Sequence, residues 1–282
     1  MPKEETQVQE TAPDVPVSVK ELLEHPVELR LPARHNPKLA QIVARINEHA
    51  ELQTLWRVCN VNAVDRLRMT DHGPVHVRII ANIALKLLRL LVEAGVKPGV
   101  VRDYGLGNED AEVVVVLASL LHDVGMSIHR EDHERFSLFV AQPLIRELLA
   151  GVYDVPIATV LRCEVLHAII SHRSGGHPLT PEAGIVRVAD ALDMAKGRSR
   201  IPFEAGELNI HSVSAAAIDN MVIERGEKKP VRLRVIMTNS AGIFQVDELL
   251  REKLSGSGLE PYIEVEASIE GPEKKLIETY HF

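Results

Sequence analysis

His122 and Asp123 stand side by side where a nearly all-apolar stretch, Ala111 to Leu121, gives way to Val124-Gly125. Imidazole nitrogen and carboxylate oxygen are the donors a hydrated divalent ion takes when it must keep positions open for water and a phosphate oxygen. Adjacent helical side chains diverge by about 100°, so the pair chelates only if the helix end turns both groups inward. Two further residues fit the same chemistry. His76 lies in DHGPVHVRIIANIA, one turn after His72 on the same helical edge, and Asp190 lies in IVRVADALDMAKGR, where a carboxylate interrupts an otherwise apolar face. A lone buried Asp is costly, so Asp190 is expected to be paired or metal-bound. A plain hydrogen bond at a helix end is the rival explanation of His122-Asp123, and it loses weight once His76 and Asp190 are considered together.

A phosphate at such a site needs fixed cations, and the planar fork of arginine grips two oxygens at once. Arg173 follows His172 directly, and Lys196, Arg198 and Arg200 form KGRSR just beyond the segment that carries Asp190. These four are the candidate substrate-binding residues, against the rival reading of KGRSR as a solvated basic loop. His72 and His167 are candidates for moving protons, with Asp123 the residue on which catalysis is expected to depend. His25, His35, His49, His129 and His281 read as surface residues. A serine nucleophile has no support: there is no GxSxG, and KGRS lacks the glycine-rich loop and preceding strand of a P-loop.

The elements that must position these residues are mostly helices. Leu39, Ile42, Val43 and Ile46, then Val75, Ile79, Ile83, Leu87 and Leu90, recur at three- and four-residue steps. The pattern predicts helices over about 37 to 50, 51 to 67, 73 to 94, 109 to 122, 131 to 150, 156 to 172 and 182 to 196. Gly95 to Asn108, with Pro98, Gly99, Gly105 and Gly107, reads as a loop. Ala111 to Leu121 should be a helix buried on most sides. After Gly206 the period changes to two, with Val231, Leu233, Val235 and Met237 and later Ile263, Val265, Ala267 and Ile269. The fold class is therefore mainly α, a helical bundle over 19–205 followed by an α+β module, β-β-α-β-β, over 206–282. Residues 1–18, rich in Glu, Gln, Thr and Pro, read as a flexible tail.

Taken with their contexts LASLLHDVG and VRVADALD, the H…HD…D series resembles the HD-domain superfamily of metal-dependent phosphohydrolases over roughly Met69 to Arg200. That resemblance implies metal ligation by His76, His122, Asp123 and Asp190. Some members of the superfamily add two histidines and hold a second ion, with the Asp of the pair bridging. His133 in REDHERFS and His172 in AIISHRSGGHP match those positions best, against the rival reading of solvated or supporting histidines. His167 is the weaker match, because five residues of helix turn it about 140° from His172. The segment SHRSGGHPLTPEAGIVRVAD also resembles the HD-GYP subgroup in part. His177 stands where that signature has Tyr and the paired His-His is missing, so cyclic-di-GMP hydrolysis is not assigned.

The resemblance implies hydrolysis of a phosphomonoester or phosphodiester by metal-activated water, with one or two ions of Mn, Fe, Mg, Ni or Zn. The rivals are a nucleotide-binding regulatory protein without turnover and a di-iron oxygenase on the same scaffold, since fold does not fix reaction. Composition bounds the partners. The chain has 282 residues, 45% of them hydrophobic, a mean hydropathy of -0.00 and a net charge of -8. That charge works against a long nucleic acid and leaves a small phosphorylated substrate, with a nucleotide expected. No membrane span is expected, and without a recognisable signal peptide the expected location is the cytoplasm. Two cysteines outside a CxxC spacing imply no disulfide. The C-terminal module is expected to mediate homo-oligomerisation or sensing and to supply no catalytic residue.

Overall fold

The computed structural model describes residues 27–194 and 210–273. The helices are α1 (Pro37–Glu48), α2 (Ala50–Asn60), α3 (Pro74–Glu93), α4 (Gly99–Tyr104), α5 (Asn108–Leu121), α6 (His133–Leu149), α7 (Val155–Ser171) and α8 (Pro181–Leu192). Several start where capping chemistry demands it. Asn36 Oδ1 accepts from Leu39 N, Asp154 Oδ1 from Ile157 N and Thr180 Oγ1 from Ala183 N, each followed by a proline in the first turn. α2 runs on into a π-helical turn, Val61–Arg66, from which Asn62 Nδ2 donates to Met126 O.

The centre of the bundle is α5. Every residue from Asp110 to Leu121 is buried, and α3, α7 and α8 pack around it. Val113 to Val116 are indifferent helix formers, so burial rather than propensity holds this helix. Its two buried acids near the start are paired. Asp110 takes Lys38 Nζ at 2.8 Å and Tyr153 Oη at 2.8 Å, while Glu112 takes Arg89 Nε at 2.7 Å and Asn36 Nδ2 at 2.9 Å.

α4 corrects the reading of Gly95 to Asn108 as a loop. Its first amides are capped from a distance: Gly99 N and Val100 N donate to the two carboxylate oxygens of buried Glu182, at 2.8 and 3.0 Å. Gly105, at φ 67°, ends it in the left-handed region. A tertiary cap of this kind leaves no local signal.

In the C-terminal part, α9 (Ile210–Ala216) leads to β1 (Ile218–Arg225) and β2 (Val231–Met237), followed by a π-helical turn (Gln245–Leu250), α10 (Arg251–Leu254) and β3 (Ile263–Ile269). β1 and β2 pair antiparallel, while β3 returns parallel to β2 with Val231 opposite Ile263. The fourth strand expected from the sequence would fall beyond residue 273, outside the described residues. So does the tail over 1–18. Ile218, Ile223, Val231, Leu233, Val235, Leu250 and Ile263 join the same buried cluster as the helices. The sheet lies against α3, and α10 lies against α8.

Cys59 is buried and Cys163 exposed, both free. Among the described residues no helix is long and apolar enough to cross a membrane.

Candidate metal centre

Each candidate ligand sits at a helix end, where the backbone can turn a side chain off the cylinder. His76 is in the first turn of α3, His122 follows the last residue of α5, His133 opens α6, His172 follows α7 and Asp190 is in the last turn of α8. Asp123 leaves the helix at φ -105°, ψ 4°, and this bend brings it round beside His122. Gly125 makes the bend possible. A Cβ there would lie 2.0 Å from His133 O and 2.5 Å from Ser137 N, so α6 can approach the turn only over a glycine. Ser137 closes the contact by donating its Oγ to His122 O at 2.6 Å and accepting from Gly125 N at 2.8 Å.

The side chains converge. Asp123 Oδ2 lies 3.4 Å from His76 Nε2 and 3.2 Å from His122 Nε2, while Asp123 Oδ1 lies 3.1 Å from His133 Nε2 and 3.7 Å from His172 Nε2. Asp190 Oδ1 is 3.6 Å from His76 Nε2 and 3.8 Å from His122 Nε2. The two oxygens of Asp123 thus divide the cluster into two halves.

Each imidazole is oriented by its other nitrogen. Nδ1 of His122, His133 and His172 faces the carbonyl of Ser119, Arg130 and Ile169 at 2.8, 2.9 and 2.6 Å, and His76 Nδ1 faces Asp193 Oδ2 at 2.6 Å. For His122, His172 and His76 these partners only accept, so Nδ1 is the N–H and Nε2 is turned inward, whereas His133 Nδ1 also faces the donor Arg130 Nη1 at 2.9 Å. His76 Nε2 and His122 Nε2 are buried without a hydrogen-bond partner. Orphaned acceptors beside carboxylate oxygens are the signature of a cation site. His76, His122 and Asp190, and likewise His122, Asp123 and His172, place ligand atoms within 4.8 Å of one another; Glu134 joins His133 and His172 in a third such group.

The electrostatics agree. Burial would raise the Asp123 carboxyl, but His122, His133 and His76 hold it well below the usual carboxylate range. Burial likewise opposes ionisation of Asp190, and Lys253, followed by the histidines, reverses this and keeps it far below its ordinary value. His172 is driven well down by burial and by His122 and Lys253, so it stays neutral as a ligand must. For His122 burial is the largest influence and lowers the pKa, yet Asp123 and Asp190 raise it on balance. This is the pull two carboxylates exert on any positive charge between them.

The remaining candidates fall elsewhere. His72 precedes α3 rather than riding on it, with Nδ1 2.7 Å from Thr70 O and its ring 5.6 Å from that of His76. His167 is turned away from the cluster: its Nε2 accepts from Leu179 N at 3.0 Å and its Nδ1 faces Ser171 Oγ at 3.4 Å. Arg173 is exposed, and its backbone carbonyl rather than its guanidinium is held, by Arg187. Lys196, Arg198 and Arg200 lie outside the described residues.

Four contributors escaped the sequence reading. Asp193 has a visible signal, since it follows Asp190 by three residues on one helical edge and a ligating histidine needs an acceptor behind it. Arg130, three residues before His133, places Nη1 2.9 Å from His133 Nδ1 and 3.3 Å from Nε2. Lys253 and the buried Arg187 have no such signal. Lys253 belongs to the C-terminal part, expected from the sequence to supply no catalytic residue, and its Nζ lies 3.4 Å from Asp190 Oδ2.

A helical bundle that gathers one His, an adjacent His-Asp pair and a later Asp at its helix ends is a metal-binding HD architecture, and residues 75–195 match the HD domain family. The chain belongs to the HD-domain superfamily of metal-dependent phosphohydrolases. It is 41% identical over 242 residues to the uncharacterized protein MJ1020 of Methanocaldococcus jannaschii, a match spanning 86% of this chain and 92% of that one.

Proposed function

We propose that this chain hydrolyses a phosphomonoester or phosphodiester of a small molecule, with a nucleotide as the substrate class, at a centre of one or two divalent ions. The observation that carries the reading is the joint orientation of four imidazoles, each with an acceptor facing Nδ1 and with Nε2 turned toward Asp123 or Asp190. His76, His122, Asp190 and Asp123 Oδ2 would hold one ion. His133, His172 and Asp123 Oδ1 would hold the other, with Asp123 as the bridge. A bound divalent ion supplies Lewis acidity toward a phosphoryl oxygen and lowers the pKa of water. The mixed nitrogen and oxygen donors suit Mn, Fe, Mg, Ni or Zn.

The protein's own groups do the rest. Arg130 is exposed with Nη1 2.9 Å from His133 Nδ1, so its guanidinium is within reach of a phosphate held at the His133 half of the cluster. This makes Arg130 the described arginine best placed for substrate, with the KGRSR residues as further candidates. His72, beside His76, is better placed than His167 to carry a proton, because both ring nitrogens of His167 face groups outside the cluster.

The test is metal analysis of the purified protein coupled to a screen of nucleoside phosphates, cyclic nucleotides and general phosphoesters with added Mn, Mg or Ni. Bound divalent metal and metal-dependent phosphate release are expected. Tight, saturable nucleotide binding without turnover would replace hydrolysis by a regulatory role. Oxygen consumption by the iron-loaded protein would replace it by oxygenase chemistry.

A further inference from the structure

The C-terminal part does not merely lie beside the bundle. Arg187, on the same helix as Asp190, has a side chain only 2% exposed, and a buried guanidinium is costly unless its donors are satisfied. Its donors go almost wholly to one dipeptide. Nε donates to Lys253 O at 2.9 Å, and Nη2 to Glu252 O at 3.2 Å and Glu252 Oε1 at 3.0 Å, while Nη1 reaches Arg173 O. Glu252 Oε1 also takes Ser174 Oγ at 3.2 Å and Gly175 N at 3.3 Å, in the turn after His172. One turn before Arg187, a Cβ on Gly184 would lie 2.3 Å from Ser257 O, so α8 and the 252–257 segment meet backbone to backbone.

This clamp delivers Lys253 to the cluster. Its side chain is 17% exposed, its Nζ donates to His172 O, and the same Nζ lies 3.4 Å from Asp190 Oδ2. One ammonium therefore touches a candidate ligand residue of each half of the site. Asp190 faces His76 and His122 through Oδ1, and its other oxygen faces Lys253.

Resting on the metal-centre reading above, we propose that Lys253 is a positioning residue: by holding Asp190 Oδ2 and the His172 carbonyl it fixes Asp190 to offer Oδ1 alone to the ion, so that the C-terminal part completes the site. Partners that orient a ligand commonly change metal affinity 10- to 100-fold when removed.

The experiment titrates metal-stripped full-length protein with Mn2+ by calorimetry for wild type, Lys253→Met, Lys253→Gln and Lys253→Arg, with circular dichroism to show that each is folded. The Met and Gln variants are expected to bind Mn2+ about 10- to 100-fold more weakly. Arg should restore most of the affinity, because its fork can meet both acceptors. Unchanged Mn2+ affinity in either neutral variant overturns the proposal, and a raised KM beside that unchanged affinity would make Lys253 a substrate ligand instead. Equal weakening in Arg, Met and Gln also overturns it, since packing rather than charge would then be at work. Wild-type protein that binds no Mn2+ would remove the metal-centre reading itself, a failure seen before any variant is compared.

Discussion

Asp123 is the residue on which both halves of the cluster depend, because each of its oxygens faces a different pair of imidazoles. Asp123→Ala is expected to lower metal content and cut activity at least 100-fold while leaving the helical circular dichroism in place. Unchanged metal stoichiometry would reject the assignment. His133→Ala and His172→Ala should instead lower bound metal from two ions toward one, and a wild type that saturates at a single ion would reject the dinuclear version. At this scale much of the site was legible. His76, His122, Asp123 and Asp190 stand out because polar groups interrupt apolar helical patterns. Arg187 and Lys253 do not, since an arginine and a lysine in amphipathic helices look like ordinary surface residues until tertiary contact buries them.

Helices carry the ligands by their ends, and the close approach of α6 to the turn after α5 is what sets His133. Gly125→Ala would push a methyl group against backbone atoms that have no room to yield, at a cost of about 3 kcal/mol. Thermal unfolding should register that loss, together with a fall in metal content; a variant of unchanged stability would show that α6 does not need the glycine. The start of α5 offers a test of a different kind. Burial alone would raise the Glu112 carboxyl, but hydrogen bonds from Arg89, Asn36 and His35 more than reverse this, so its pKa is lowered. A depressed carboxylate adds stability that is present above its unfolded value of about 4.3 and is lost as pH falls through the folded value. Glu112→Gln should therefore cost about 2 kcal/mol at pH 7, with the deficit shrinking below about pH 4. Urea unfolding across that range measures it, and a deficit independent of pH would contradict it. The seven long helices were readable from periodicity. α4 was not, because its cap is Glu182, some eighty residues away.

Among the described residues the main hydrophobic core runs from the bundle into the three-stranded sheet. Period-two patterning announced the strands, but nothing in a strand pattern says what its buried face will lie against. We expect helices and sheet to unfold together in one transition, with far-ultraviolet circular dichroism and Trp56 fluorescence superimposing in denaturant. Two separated transitions would make the C-terminal part an autonomous domain. Self-association through that part remains a proposal, and light scattering on the full chain decides it. Its free sheet edges, on β1 and β3 among the described residues, are where a second copy would pair.

The acceptors behind the four imidazoles differ in one respect that bears on how such a centre changes over generations. His122, His133 and His172 lean on main-chain carbonyls three positions upstream, and a carbonyl persists whatever side chain the gene encodes there. His76 has a side chain, Asp193, in place of a carbonyl, and His133 Nδ1 has Glu134 Oε2 at 3.3 Å besides its carbonyl. Heritable drift can thus rewrite positions 119 and 169 without touching the tautomers of their histidines, whereas it can retune His76 by a single codon. Saturation mutagenesis scored by retained metal should tolerate many residues at 119 and 169 and few beyond Asp and Glu at 193. The basicity of His76 is thus open to selection at that one position.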